Sequence, residues 1–360
     1  MLTEKSPGVL SDRLKDFFPE VGFPTALAPM QDVTGLPFMN LVSQYGPPDL
    51  FFTEYFRVHA NARLDPEILS SVTENNSGKP VFAQLIGEDI EHIVRFAKEL
   101  QQYGIAGIDL NLGCPAPRVY RKNVGGGLLR DPKRINQILH ALQQSCECPI
   151  TVKTRIGFED GKNFSQLLDI FAANEIELLS LHARTVRGGY RSTPQYEYVE
   201  QAVGRLNCPV LLNGEVNSPH LAVELIKQTG ASGVMIGRSA IRNPWIFLQI
   251  KQILNGADLF RPTLGDLNAY IESLYQALFC NNVTEVQMVA RLKKFLNFIG
   301  LSVDENGEFL YFMRRASTKE ELNKVCEKFL LNEDKSKQLM ELEPYTGLIA
   351  RPSTEGSSCH

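Results

Sequence analysis

Eight short apolar runs, each ending in polar residues, recur between Thr25 and Ala240 of this 360-residue chain. They are Thr25–Met30, Asp49–Phe56, Pro80–Gly87, Gly107–Pro115, Pro149–Gly157, Leu178–Thr185, Pro209–Val216 and Gly233–Ala240. In the fourth run Ile108, Leu110 and Leu112 alternate with Asp109, Asn111 and Gly113, the period-2 pattern of a strand. Amphipathic stretches of helical length separate most of the runs, among them Glu88–Tyr103, Lys133–Ser145, Phe164–Asn174 and Pro219–Thr229. Strands alternating with helices imply a parallel sheet, and eight repeats predict an α/β fold, a (β/α)₈ TIM barrel over residues 25–242. The competing doubly wound sheet would carry Gly-x-Gly-x-x-Gly after its first strand, and none stands there. Gly125–Gly127 lies in the long connection after the fourth run and reads as a close-packing or turn element.

The pattern changes after the eighth run. Trp245–Leu254, Gly265–Phe279, Thr284–Ile299 and Thr318–Leu331 are helical, with no strand candidate between them. Residues 243–342 are therefore expected to form a small all-helical C-terminal domain. Residues 1–24 read as an N-terminal extension without the pattern of a secretory leader, and 343–360 as a tail, disordered at least over Arg351–His360. A hydrophobic content of 43% with 22% charged residues is that of a globular chain, and no apolar run approaches a membrane span. Seven cysteines without framework spacing point to a reducing, cytoplasmic setting. Cys146 and Cys148 form a Cys-x-Cys pair that no second pair or histidine cluster completes, so no metal site is expected. The net charge of −4 argues against indiscriminate nucleic-acid binding and leaves room for a local basic face. A monomer is expected.

Barrel enzymes build their sites at the carboxyl ends of the strands. Here those ends carry Met30-Gln31, Glu54, Gln84, Asn111 with Cys114, Lys153 with Arg155, His182 with Arg184, Asn213-Gly214-Glu215, and Gly237-Arg238. One lysine within an apolar strand is ordinarily a paired scaffold residue, but eight polar ends are hard to explain as scaffold. The last two ends set glycines beside donors, where backbone N–H groups and Arg238 suit a phosphate. Lys153 is suited to negative charge on a ring cofactor such as a reduced flavin, and Gln84 to donating to and accepting from the ring's polar edge. Spacing alone does not name that cofactor.

Six segments in barrel order resemble the tRNA-dihydrouridine synthase family: Ala28-Pro29-Met30, Asp109–Pro115, Val152–Arg155, His182–Thr185, Asn213–Glu215 and Met235–Arg238. The resemblance runs from about Thr25 through Phe247 and more weakly into the helical domain. It implies an enzyme that uses FMN to reduce the C5–C6 bond of a tRNA uridine, with NADPH as the electron source. It implies FMN contacts at Pro29, Met30, Gln31, Gln84, Lys153, His182, Asn213, Gly214, Glu215, Gly237 and Arg238. It assigns Cys114 as the acid that protonates uracil C5. With tRNA as partner, Asn111 is expected to hold the flipped base, and Arg57, Arg155 and Arg184 to meet its phosphates. In the helical domain Arg291, Lys294 and, one turn on, Phe298 are expected near one RNA-facing surface, at i, i+3 and i+7.

Two positions depart from the family pattern: Gly35 where many members have Asp, and Glu215 in place of a commoner Asp. Thr53–Val58, Asn213–Glu215 and Ala290–Lys293 look most like the bacterial C-type branch, which reduces uridine 16 in the D-loop. The alternatives are a small-molecule flavin reductase acting on a free pyrimidine, which would need no helical domain, and an RNA-binding barrel without redox chemistry.

Overall fold

The computed structural model of the chain describes residues 11–18, 22–280 and 283–351. The end of the expected tail, residues 352–360, and residues 1–10 of the expected extension lie outside the described residues. The described residues form two compact units, one within 11–36, 48–216 and 222–236, the other within 37–47, 217–221 and 237–351.

The first unit is a parallel barrel. Its strands are β1 (Thr25–Leu27), β2 (Phe51–Phe52), β3 (Phe56–Arg57), β4 (Val81–Ile86), β5 (Gly107–Leu112), β6 (Ile150–Arg155), β7 (Leu178–His182), β8 (Val210–Asn213) and β9 (Gly233–Ile236). They pair in the order β1-β9-β8-β7-β6-β5-β4-β2, with β3 also on β4. A bridge between Ala26 and Leu50 closes the circle. Nine strands arise from eight runs because the second run is broken. Phe51 and Phe52 pair with Val81 and Phe82, and Phe56 and Arg57 with Leu85 and Ile86. Three residues, Thr53–Tyr55, thus oppose Ala83 and Gln84, a bulge of one residue at the barrel rim.

Alternation sorts the side chains. Ile108, Leu110, Leu112, Val152, Leu179, Leu181 and Leu212 form one buried set that faces the helices. The other parity enters the barrel, and it changes character along the strands. Near their amino ends Phe52, Phe82, Leu178 and Leu211 form an apolar floor with Ala26 and Met235. Leu14 and Phe17, from the expected extension, pack into that floor. Phe17 meets the Phe82 ring edge-on at 6.1 Å, and Arg13 pairs with Glu177 at 2.7 Å. Above the floor the interior turns polar: Gln84, Asp109, Thr151 and Ser180, then Asn111, Lys153, His182 and Asn213.

The second unit is helical, with Ile246–Leu254, Leu264–Ala277, Glu285–Ile299, Glu308–Arg315 and Lys319–Cys326 as its main helices. Thr263, Thr284 and Thr318 each begin a helix with a reciprocal capping box, to Asp266, Gln287 and Glu321. Arg242 is buried and gathers three chain segments, donating to Ser302 Oγ at 2.6 Å, to Leu342 O at 2.8 Å and to Asn217 O. Residues 343–351, assigned to the tail from sequence, are bound to this unit. Tyr345 N donates to Leu301 O at 2.8 Å, and Arg314 donates to Ile349 O at 2.6 Å.

Candidate active site

Cys114 sits in the loop that follows β5. Gly113 and Pro115 stop the strand, and the loop is then held from three sides. Asn111 Oδ1 accepts from the backbone N–H groups of Gly113 and Cys114, both at 3.0 Å. Arg155 Nε donates to Gly113 O at 2.9 Å. The glycine run packs against the loop, and Gly126 N donates to Cys114 O at 3.3 Å. A Cβ on Gly126 would lie 2.6 Å from Val186 Cγ2 and 2.8 Å from Cys114 O, so only glycine fits. Burial pushes the Cys114 thiol above its ordinary pKa, against weaker pulls from the Ala116 amide and from Arg155, Arg57 and Arg118. The thiol is therefore protonated at neutral pH.

Lys153, on the neighbouring strand β6 and in register with Asn111, reaches Asn213 on β8. Lys153 Nζ donates to Asn213 Oδ1 at 3.1 Å, and Asn213 Nδ2 donates to Met235 O at 2.7 Å. Burial, and then the neighbouring Arg155 charge, bring the ammonium down to about 8. His182 ends β7 beside Asn213, and the Ser180 hydroxyl is buried in the same interior without a hydrogen-bond partner among the described residues. After β8 the chain turns through Gly214 at φ +117° and Glu215 at φ +57°. The turn is pinned by Tyr196, whose hydroxyl donates to Gly214 O at 2.9 Å.

The loop after β1 carries Pro29, Met30 and Gln31. Met30 N donates to Thr34 Oγ1 at 2.7 Å. The buried Glu54, in the bulge between β2 and β3, accepts from Asp32 N at 2.9 Å and Val33 N at 3.0 Å. Gln31 Oε1 is buried without a partner among the described residues. Beside it opens a cleft of about 320 Å³ lined in part by Gln31, Tyr55, Arg57, His59 and Arg63. Arg57 donates to Tyr55 Oη at 3.2 Å and is otherwise exposed. Arg95 braces the cleft's rim by donating to Ala62 O at 3.0 Å.

Several expected contacts are placed otherwise. Arg155, expected at RNA phosphates, is buried and donates to Gly113, Thr185 and Gly189 carbonyls at 2.9–3.0 Å. Arg184 is buried too, and pairs with Glu215 and with Ser192 O. Arg155 thereby braces three loop carbonyls, and Arg184 ties the Ser192 carbonyl to the Glu215 carboxylate. Gln84, expected at a ring edge, is fully buried, with its amide engaged by Asp109 and Asn111 at 2.7 Å each. Asn111, expected on the base, spends its oxygen on the Cys114 loop. Asp109, which donor–acceptor spacing did not single out, is fully buried at the centre of this network. Its signal was an acid of the inward parity. Gly237 follows β9 directly, and Arg238 opens the short helix Arg238–Arg242 in the second unit. Arg291 and Lys294 are exposed on Glu285–Ile299, but Phe298 is buried, with the Arg351 guanidinium 5.0 Å over its ring. Among the described residues no group of three or more His, Cys, Asp or Glu could hold a metal ion.

A parallel barrel whose floor is apolar, whose interior is polar and whose mouth presents a thiol and a lysine from adjacent strand ends is a barrel enzyme. A model of the dihydrouridine synthase family matches residues 26–333. A "tRNA-dihydrouridine(16) synthase" of Shewanella oneidensis is 32% identical over 311 residues, 84% of this chain and 96% of that protein. A "tRNA-dihydrouridine synthase B" of Vibrio parahaemolyticus is 34% identical over 259 residues, 68% of this chain and 79% of that one. Among solved structures, histamine dehydrogenase from Rhizobium sp. 4-9 shares the fold, with a TM-score of 0.52 at 14% identity over 74% of this chain and 51% of that one. The chain belongs to the dihydrouridine synthase family.

Proposed function

We propose that this protein is an FMN-dependent enzyme that reduces the C5–C6 bond of a D-loop uridine in tRNA, with NADPH as electron source and Cys114 as the proton donor at C5. The residues present suit that cofactor. The buried Gln31 oxygen, unpartnered among the described residues, can accept from a ring N–H. The positive φ of Gly214 gives a close backbone approach, and Gly237 with Arg238 are assigned to the phosphate. Pro29, Met30, His182, Asn213 and Glu215 complete the assigned set. Bound FMN would supply hydride for C6.

The chain's own groups do the rest. Lys153, an ammonium at neutral pH, holds positive charge where negative charge develops. The Cys114 thiol, kept protonated by burial, gives its proton to C5. A uracil must leave its stack to reach a barrel mouth, which costs least in a loop. Arg57 beside the cleft and Arg291 with Lys294 on the helical unit are assigned to the RNA backbone. The relative named for position 16 aligns with 84% of this chain, which favours uridine 16. A tRNA substrate and NADPH fit the cytoplasm, and the protein is proposed to act as a monomer.

The observation that carries the reading is the Cys114 thiol presented on a loop locked by Asn111, Arg155 and Gly126. The test is dihydrouridine mapping in tRNA from cells with the gene intact and deleted. Deletion should abolish dihydrouridine at position 16 and leave other sites unchanged. An unchanged map would refute the reading.

A further inference from the structure

The hydrogen bonds beneath Cys114 run in series and in one direction. Thr151 Oγ1 donates to Asp109 Oδ1 at 2.7 Å, and Gln84 Nε2 donates to Asp109 Oδ2 at 2.7 Å. Asn111 Nδ2 donates to Gln84 Oε1 at 2.7 Å. Asn111 Oδ1 then accepts from Gly113 N and Cys114 N at 3.0 Å each. Asp109 and Gln84 are fully buried, and Asn111 nearly so.

An ionised carboxylate only accepts, whereas a primary amide has a donor end and an acceptor end. An acceptor-only group at one end of two amides in series fixes which way both amides point. We propose that Asp109 is a positioning residue whose carboxylate orients Gln84 and Asn111 so that the Asn111 oxygen faces the backbone of the Cys114 loop. With Asn111 reversed, its NH₂ group would face two N–H donors and the loop would lose both bonds, and with Gln84 reversed its NH₂ would face that of Asn111 and drive the same reversal.

Burial raises the Asp109 carboxyl to about 6, against the pull of Gln84, Thr151 and Lys153, so it is ionised at neutral pH. Those three residues are the polar or charged groups facing it from the two strands that flank β5. The value of the arrangement lies in orientation, since a satisfied buried network specifies one geometry. This inference rests on the reading of Cys114 as the acid, but its test reads the loop alone.

The test is amide hydrogen exchange at Gly113 and Cys114 in the full-length holoprotein, read by mass spectrometry. Asp109→Leu keeps the branched side-chain shape, though it is bulkier, and removes the acceptor. It should speed exchange at these two amides by about tenfold or more while the barrel floor stays protected. Asp109→Ala serves if the leucine variant does not fold.

The double variant Asp109→Asn with Gln84→Glu moves the carboxylate one place along the series. The carboxylate placed at position 84 would then accept from the amide placed at position 109 and from Asn111 Nδ2, and the Asn111 oxygen would keep its direction. That variant should retain wild-type protection at Gly113 and Cys114. Wild-type exchange in Asp109→Leu or Asp109→Ala, or lost protection in a folded double variant, would overturn the proposal. Neither result depends on whether Cys114 protonates uracil, which the Cys114→Ala rate decides separately.

Discussion

Lys153 on β6 donates to the side-chain oxygen of Asn213 on β8 at 3.1 Å, and Asn213 is itself anchored to Met235 O at 2.7 Å. The ammonium is thereby held in a fixed place inside the barrel mouth, bonded to an amide oxygen and not to a carboxylate. That arrangement costs stability and supplies a positive charge to whatever binds there.

The cost gives a first prediction. The Lys153 pKa falls from 10.5 to about 8 on folding. Between those values the unfolded chain binds more protons than the folded one, so stability rises as pH rises from 8 toward 10.5. Below pH 8 the full penalty is present. Lys153→Met should therefore be more stable than wild type at pH 7, by up to about 3 kcal/mol, and unfold at higher temperature, with the gap closing toward pH 10.5. The same variant should lose most uridine reduction. Thermal unfolding followed across pH checks the first part and single-turnover assay the second.

Arg155 should behave as a brace and not as an RNA contact. Its guanidinium serves three loop carbonyls, at 2.9, 3.0 and 2.9 Å. Arg155→Ala would leave them unpaired and should cost about 2–5 kcal/mol of stability. The salt dependence of tRNA binding should keep its slope. A shallower slope with unchanged stability would return Arg155 to the phosphate-binding set.

What the sequence disclosed and what it concealed divide along a physical line. Period-2 alternation set Asp109 and Asn111 on one face of the fourth run and Ile108 and Leu110 on the other, because that pattern is a property of one strand. The break at Thr53–Tyr55 was hidden, because a bulge exists only relative to the register of β4. Arg155 and Arg184 were placed on the right strand ends but given the wrong partners. A long side chain can turn toward ligand or toward loop carbonyls, and loop paths are not written in the strand. Phe298 shares a helix face with Arg291, yet the returning chain at Arg351 covers it. Asp109 was seen in the strand pattern but given no role, because its partners, Gln84 and Thr151, come from two other strands.

The glycine run offers a steric prediction. A Cβ on Gly126 would lie 2.6 Å from Val186 Cγ2 and 2.8 Å from Cys114 O. Gly126→Ala should cost about 1–3 kcal/mol and slow uridine reduction by displacing the Cys114 loop. Denaturant unfolding beside single-turnover rates would check it. Wild-type stability and rate together would show the loop has room to yield.

Arg291 and Lys294 are exposed on the helix Glu285–Ile299 and lie three residues apart, on one face. Replacing both with Ala should weaken tRNA binding and reduce the salt slope by about 1–2 units. Binding titrations across a salt series give the answer. An unchanged slope would make them an ordinary solvated face.

The most direct test concerns Cys114. Purified enzyme, reduced in advance, is mixed with excess unmodified tRNA, and dihydrouridine is followed in a single turnover. Cys114→Ala should retain flavin and bind tRNA normally, yet form dihydrouridine about 10²–10⁴-fold more slowly, the usual worth of a general acid. Cys114→Ser should fare little better, since an aliphatic hydroxyl is a far weaker acid than a thiol. A wild-type rate in Cys114→Ala would contradict the account and make Cys114 a packing residue of its loop.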